Sequence, residues 1–236
     1  MRVDGQPAFV LHARAWRETS LLLEVFSRDH GRVGLVARGV RRERSRWPRG
    51  LLQPFQPLLL AWAGRGELGT LVAVEGASAP LQPQGQTLLA GMYVNEFVLR
   101  LSGRGDPHPR AFSLYAQCLA RLNGEESVAW TLRRFERDFL AAIGYGLVLD
   151  QAADGSPLQA AHDYAYDPEA GARVWQGQRS GVRVCGAALL ALAADDCPAT
   201  DELRQLRGLV RGVVRHLIGG ELESWKLTRP ALRDAR

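Results

Sequence analysis

Residues 20–50 read SLLLEVFSRDHGRVGLVARGVRRERSRWPRG, and this stretch decides both the fold and the place of the charge. Ser20 to Phe26 and Arg32 to Ala37 are apolar runs of strand length, and Arg28-Asp29-His30-Gly31 between them is a tight-turn sequence, so the two read as a hairpin. The chain then enters a long connection, Gly39 to Gln56, dense in arginine and proline. Its core, Arg38 to Gly50, holds six arginines and one tryptophan in 13 residues.

Outward from this stretch the strand pattern continues. Ala8 to Ala13 precedes it, while Pro57 to Ala63 and Thr70 to Ala77 follow, the last two separated by a second turn at Gly64-Arg65-Gly66-Glu67. Five short strands are too few for a sandwich and enough for a small closed barrel of the OB type, which has no free edge; an SH3-like barrel would read similarly. At Pro80 the composition shifts. After the linker Pro80 to Gly85, helical periodicity gives candidates at Gln86 to Leu101, Arg110 to Leu122, Glu125 to Ile143, Ala187 to Ala194 and Asp201 to Ile218, the last capped by Thr200. Residues 144–185 read as a loop-rich insert with a short hairpin near Ala165 to Val174. The expected class is therefore α+β: an N-terminal five-stranded OB-fold barrel over 1–79, then a mainly α-helical domain over 80–236.

The remaining composition narrows the function. With 46% hydrophobic and 23% charged residues in 236, the chain is an ordinary folded protein. Its longest apolar run, Ala187 to Ala194, is far below the roughly 20 residues of a membrane span, and its N-terminus has no signal core, so the expectation is a cytoplasmic protein with no membrane partner. Three cysteines, Cys118, Cys185 and Cys197, form no close pair, which argues against a disulfide framework or a cysteine-rich zinc site. The net charge of +5 is uneven: residues 1–79 hold 12 arginines against 7 acids, whereas the rest of the chain is neutral. Such an excess expects a polyanion.

Catalytic chemistry finds little to build on. Gly64 to Gly69 matches G-x-G-x-x-G, yet a strand-like run follows it instead of the helix that would hold a pyrophosphate. The five histidines are scattered, and no nucleophile elbow is present. Asp150, Asp154, Asp163 and Asp167, with the pair Asp195-Asp196, are the one carboxylate grouping a metal-dependent nuclease would use, but in so turn-rich a segment aspartate commonly serves turn geometry. No catalytic residue, metal or cofactor is expected.

Nucleic-acid binding is the positive expectation. Guanidinium groups match phosphate oxygens bidentately and a Trp face stacks on a base, so Arg38, Arg41, Arg42, Arg44, Arg46, Trp47 and Arg49 are the first candidates, against a plain solvated loop as the alternative. Arg204, Arg207, Arg211 and Arg215 recur on one stripe of the C-terminal helix and are the second set, opposite the apolar positions Leu203, Leu206, Val210, Val213 and Leu217. On the third helix Trp130, Arg133 and Arg137 share a flank, either as Arg-on-Trp packing or as a cationic groove for an acidic, apolar-ended peptide. An OB-fold RNA-binding protein satisfies the same signals as a DNA-binding one.

The order of short motifs along the chain resembles the RecO family of bacterial recombination mediators. The resemblance rests on Ala8-Phe9-Val10-Leu11 with Trp16-Arg17-Glu18-Thr19-Ser20, His30-Gly31-Arg32-Val33 with Val36-Ala37-Arg38-Gly39, Leu52-Gln53-Pro54-Phe55, Arg133-Arg134-Phe135-Glu136 through Gly144-Tyr145-Gly146, and Gly219-Gly220. It implies an OB-fold joined to a helical domain, binding of single- and double-stranded DNA, annealing of complementary strands, and action with RecR to load RecA onto DNA coated by single-stranded DNA-binding protein, in a nucleoid-associated setting and without enzymatic activity. It also implies that the acidic C-terminal tail of single-stranded DNA-binding protein docks on the helical domain, for which Trp130, Arg133, Arg134 and Arg137 are the candidates. Some family members carry a four-cysteine zinc site; the matching region here, Leu149 to Gly155, has no cysteine, so zinc is not carried over.

Overall fold

The computed structural model describes residues 2–45, 47, 50–64, 66–177 and 181–227. Five strands come first, β1 Arg2–Trp16, β2 Ser20–Ser27, β3 Gly31–Ala37, β4 Leu58–Ala63 and β5 Leu68–Gly76. They close into a barrel in the order β1-β2-β3-β5-β4, antiparallel throughout except where β3 meets β5. This is the OB-type barrel expected from the five apolar runs. The Gly64 to Gly69 stretch forms the β4–β5 hairpin, with Arg65 outside the described residues. β1 is much longer than its apolar run because its two halves serve two partners: residues 2–8 pair with β4 and residues 8–16 with β2. Asp4, Gly5 and Pro7 hide the first half from a pattern reading, since those residues usually mark turns.

The connection from β3 to β4 has to return along the barrel. Ala37 lies at the end where β1 turns into β2, whereas Leu58 pairs with Ala8 near the opposite end. On the way, Pro54 bridges Val10 of β1, beyond the residues that β4 covers. The apolar residues of the connection turn inward: Trp47 and Leu52 belong to the barrel core with Val10, Leu23, Leu35 and Leu60, and Val40 and Leu51 pack against it. Trp47 is only 6% exposed, and its indole Nε1–H donates to the carbonyl oxygen of Arg38 at 2.8 Å. The expectation that Trp47 offers a stacking face to a base is therefore corrected. A large apolar ring whose single polar atom finds a backbone acceptor is stable inside, and the barrel interior is where this one sits.

Two helices, α1 Gly85–Leu101 and α2 Pro109–Leu122, pack on the outside of β1 and β2. Phe9 meets Tyr115 edge-on at 5.0 Å and Phe112 at 5.6 Å, while Phe26 adds a fourth ring. The register shift between Val10 and His12 takes Leu11 out of the β1–β2 ladder, and Asn95 donates to its carbonyl at 3.0 Å while accepting from the Tyr115 hydroxyl at 2.7 Å. Buried polar groups thus satisfy one another and fix where the helices sit. Gly31 completes the join. At φ +62 a side chain is strained, and a Cβ there would lie 2.1 Å from the carbonyl oxygen of Asp106.

By contact the chain forms two compact units, Met1–Gly124 with Ser224–Arg236, and Glu125–Glu223. The composition break at Pro80 marks where strands give way to helices; the contacts group α1 and α2 with the barrel. The second unit contains α3 Val128–Ala142, β6 Asp163–Asp167, β7 Gly171–Val174, β8 Val182–Cys185, α4 Gly186–Ala194 and α5 Thr200–Ile218. The hairpin expected near Ala165 to Val174 is β6–β7, and β8 adds a third strand on the other edge of β6, against which α5 packs through Gly208 and Gly212 at Val182. The N-cap of α5 is Ala199, not Thr200: the Ala199 amide donates to Glu202 Oε2 at 2.8 Å, so the acid in the first turn satisfies the helix end. A short helix, α6 Ser224–Leu227, belongs to the first unit, where the Ser224 amide donates to Glu96 Oε2. No helix among the described residues is long and apolar enough to cross a membrane.

Replacing Trp47 by Ala empties a core site and leaves the Arg38 carbonyl without its donor. A loss of about 3–5 kcal/mol in unfolding free energy is expected from denaturant titration. A loss under about 1 kcal/mol would place this ring outside the core.

Candidate nucleic-acid interface

Two successive hairpins decide what gathers at one end of the barrel. Trp16 pairs with Ser20 and Leu21 with Ala37, so the β1–β2 turn and the start of the β3–β4 connection lie side by side. The Arg41 amide donates to the Thr19 carbonyl at 3.0 Å and ties them together. This end carries Arg14, Arg17, Arg38, Arg41, Arg42 and Arg44, all exposed, and within residues 14–20 and 38–44 the acids are Glu18 and Glu43. None of the six makes an ion pair among the described residues, a state that like-charge repulsion opposes until a counter-charge arrives. Arg46 and Arg49 lie outside the described residues.

Four other arginines of this unit contrast with these six directly. Arg28 binds Asp29 through two nitrogens at 2.9 Å, and that hydrogen bond, with one from Gln6, holds the Asp29 carboxyl down at about 2. Glu24 accepts from Arg32 at 3.2 Å and from Arg104, and Arg2 pairs with Asp4. The excess charge of residues 28–49 is thus concentrated after Ala37. Arg14 and Arg17 escape a search for local charge density because they are far from Arg38 in sequence; the signal that finds them is the pair of hairpins, since an even number of reversals returns the chain to the same end.

The arginine stripe of α5 is a different surface. Arg204 pairs with Asp201 one turn away, Arg215 with Glu221, and Arg207 and Arg211 are partly buried and engaged with other residues. Two of its four charges are thus offset by carboxylates within the unit. The apolar side is Leu206, Leu209, Val210, Val213 and Val214, with Leu203 and Leu217 only partly buried.

The α3 residues proposed for a peptide are brought together, but as an ion-pair network. Arg133 is 5% exposed and paired with Glu136, which is fully buried, so Arg133 is not available as a docking residue, contrary to the expectation. Trp130 is buried, with the Arg134 guanidinium 5.7 Å from its ring centroid; the Arg-on-Trp partner is Arg134, one turn from Trp130. Arg134 grips Asp195 with two nitrogens at 3.0 and 2.8 Å and reaches Glu126 at 2.8 Å; Arg137 binds Asp195 at 2.8 Å and Asp138 at 2.7 Å. Asp195 sits in the left-handed conformation at the end of α4, φ 62, which aims its carboxylate between the two guanidinium groups. A peptide carboxylate would meet two cations that already share one. The acidic segment resolves in the same way. Asp154 accepts from Ser156, Asp167 from the Glu169 and Ala170 amides in the β6–β7 turn, and Asp163 from Arg183, so each serves a local structural contact.

Family models describe both parts of the chain: Recombination protein O N terminal over residues 1–79 and Recombination protein O C terminal over residues 82–226. A curated relative from Stenotrophomonas maltophilia (strain K279a), named DNA repair protein RecO, is 46% identical over 231 residues, covering 96% of this chain and 97% of its own. Relatives of the same name from Xanthomonas campestris pv. campestris (strain B100) and Xanthomonas oryzae pv. oryzae (strain PXO99A) are 44% and 42% identical, each covering 99% of both chains.

The Asp195 latch has a pH signature. Burial alone would raise its carboxyl, but hydrogen bonds and attraction from Arg137 and Arg134 outweigh that and hold it below the ordinary carboxylate range. A lowered folded-state value stabilises above the unfolded value of about 3.9 and is lost as pH falls through the folded one. Asp195→Asn is therefore expected to be less stable than the parent at pH 7, with the gap closing as pH drops below about 4. Thermal melts across that range check it; a gap that persists at low pH would contradict it.

Proposed function

The chain belongs to the RecO family of DNA repair and recombination proteins, and from that premise we propose that it is a non-enzymatic mediator that grips DNA phosphates with the cationic end of its barrel. The observation that carries this reading is the group of six arginines, Arg14, Arg17, Arg38, Arg41, Arg42 and Arg44, gathered at one end without an ion-pair partner among the described residues. Arginine is the side chain suited to this work, since its planar fork meets two phosphate oxygens and stays charged at any physiological pH. Contacts to phosphate carry no sequence information, so both single- and double-stranded DNA bind, and complementary strands held on one neutralised surface repel one another less and anneal. With RecR, the protein then helps RecA load onto DNA coated by single-stranded DNA-binding protein. The acidic tail of that coating protein is proposed to reach the second unit, where Arg134 and Arg137, partly exposed on α3, are the candidate cations and Asp195 the carboxylate it competes with.

Three charges at the tip of the connection provide the test. Arg41→Gln, Arg42→Gln and Arg44→Gln together remove no ion pair among the described residues, so thermal stability is expected to stay within about 0.5 kcal/mol of the parent. Single-strand affinity and annealing should fall, and the slope of log affinity against log salt should shrink by about 2, at about 0.7 for each phosphate that is no longer neutralised. An unchanged slope in a well-folded variant would move the DNA site elsewhere. Annealing of strands coated by their own single-stranded DNA-binding protein, with RecR and RecA then added, tests the mediator step.

A further inference from the structure

The cationic end also holds one partly exposed aromatic ring. Within residues 14–20 and 38–47 the aromatic residues are Trp16 and Trp47, and Trp47 is in the core. Trp16 ends β1 and is partly exposed. Ala13 packs against the barrel core, so strand alternation turns Arg14 and Trp16 to the outer face. Across the ladder Arg14 faces Leu22, which faces Val36 of β3, two residues before Arg38. Trp16 therefore stands on the β1–β2–β3 face beside the unpaired arginines, with the Arg14 guanidinium 6.0 Å from its ring centroid.

We propose that Trp16 is a base-stacking residue that gives this surface its preference for single-stranded nucleic acid. The inference rests on the phosphate-binding reading above and deepens it. An unpaired base has a free π-face, which the indole can cover while Arg14 and Arg17 hold the flanking phosphates; in a duplex both faces of each base are already stacked. Phosphate contacts alone do not distinguish the two forms, whereas a ring on the same face does.

The test compares the full-length protein with Trp16→Ala, Trp16→Leu and Trp16→Phe on three probes bearing equal numbers of phosphates: oligothymidylate, a duplex, and an abasic deoxyribose-phosphate oligomer. Trp16→Ala and Trp16→Leu are expected to weaken oligothymidylate binding about 5- to 150-fold, the worth of one stacked base, while the duplex and abasic oligomer change by less than about twofold. Trp16→Phe should recover part of the loss. Unchanged oligothymidylate binding overturns the proposal, and so does an equal loss on all three probes, which would make Trp16 a folding or packing residue. Trp16→Leu and Trp16→Phe keep an apolar side chain in place, so the comparison stands if Trp16→Ala melts early. The Arg41, Arg42, Arg44 triple variant separates the two readings: it lowers binding to all three probes if the phosphate reading holds, and to none if that reading is what has failed.

Discussion

The return of the chain from β3 to β4 is the constraint on which the rest of the structure depends. Because β3 pairs with β5 and not with β4, the segment after Ala37 has to run back along the barrel to Leu58. A segment in that position is amphipathic by necessity. Trp47 and Leu52 complete the core from it, with the Trp47 indole hydrogen anchored on the Arg38 carbonyl, and Arg38, Arg41, Arg42 and Arg44 are left facing water. Core completion and charge display are two sides of one segment. The apolar side fixes the backbone, and a fixed backbone is what lets a set of guanidinium groups act as a surface instead of a diffuse cloud.

The distribution of arginine partners sets this end of the barrel apart. Arginine is abundant throughout the chain, and at many positions a carboxylate is close at hand: Asp29 for Arg28, Glu24 for Arg32 and Arg104, Asp195 for Arg134 and Arg137, Asp201 for Arg204, Glu221 for Arg215. Exposed pairs of this kind contribute little to stability individually, yet they cancel the local field. At the β1–β2 turn and the start of the long connection the cancellation stops. A strong local potential and a partly exposed indole on the same face are the two elements that sequence-tolerant binding of nucleic acid requires.

Much of this was legible from the residues. The five apolar runs, the two turn sequences and the shift at Pro80 describe the barrel and the first helices closely, because hairpins and amphipathic helices are written in local patterns. The misreadings have local causes too. Trp47 lies among arginines and looks like part of their surface; only the path of the connection through the barrel core places it inside. Arg133 looks like a free cation next to an apolar stripe until α3 is packed and Glu136, three residues on, is seen to be buried with it. Asp195 belongs to a different helix from Arg134 and Arg137, so the network that neutralises them is tertiary. Arg14, Trp16 and Arg17 became part of the site through strand register, which local composition does not contain.

The central claim is that nucleic acid is held at the barrel end formed by the β1–β2 turn and the start of the long connection. Hydrogen exchange followed by mass spectrometry, with and without saturating oligothymidylate at low salt, tests it without altering a residue. The account predicts slowed exchange in residues 14–20 and 38–44, including the Arg41 amide bonded to Thr19, and no change across α5. Protection confined to residues 200–218, with none at the barrel end, would contradict it.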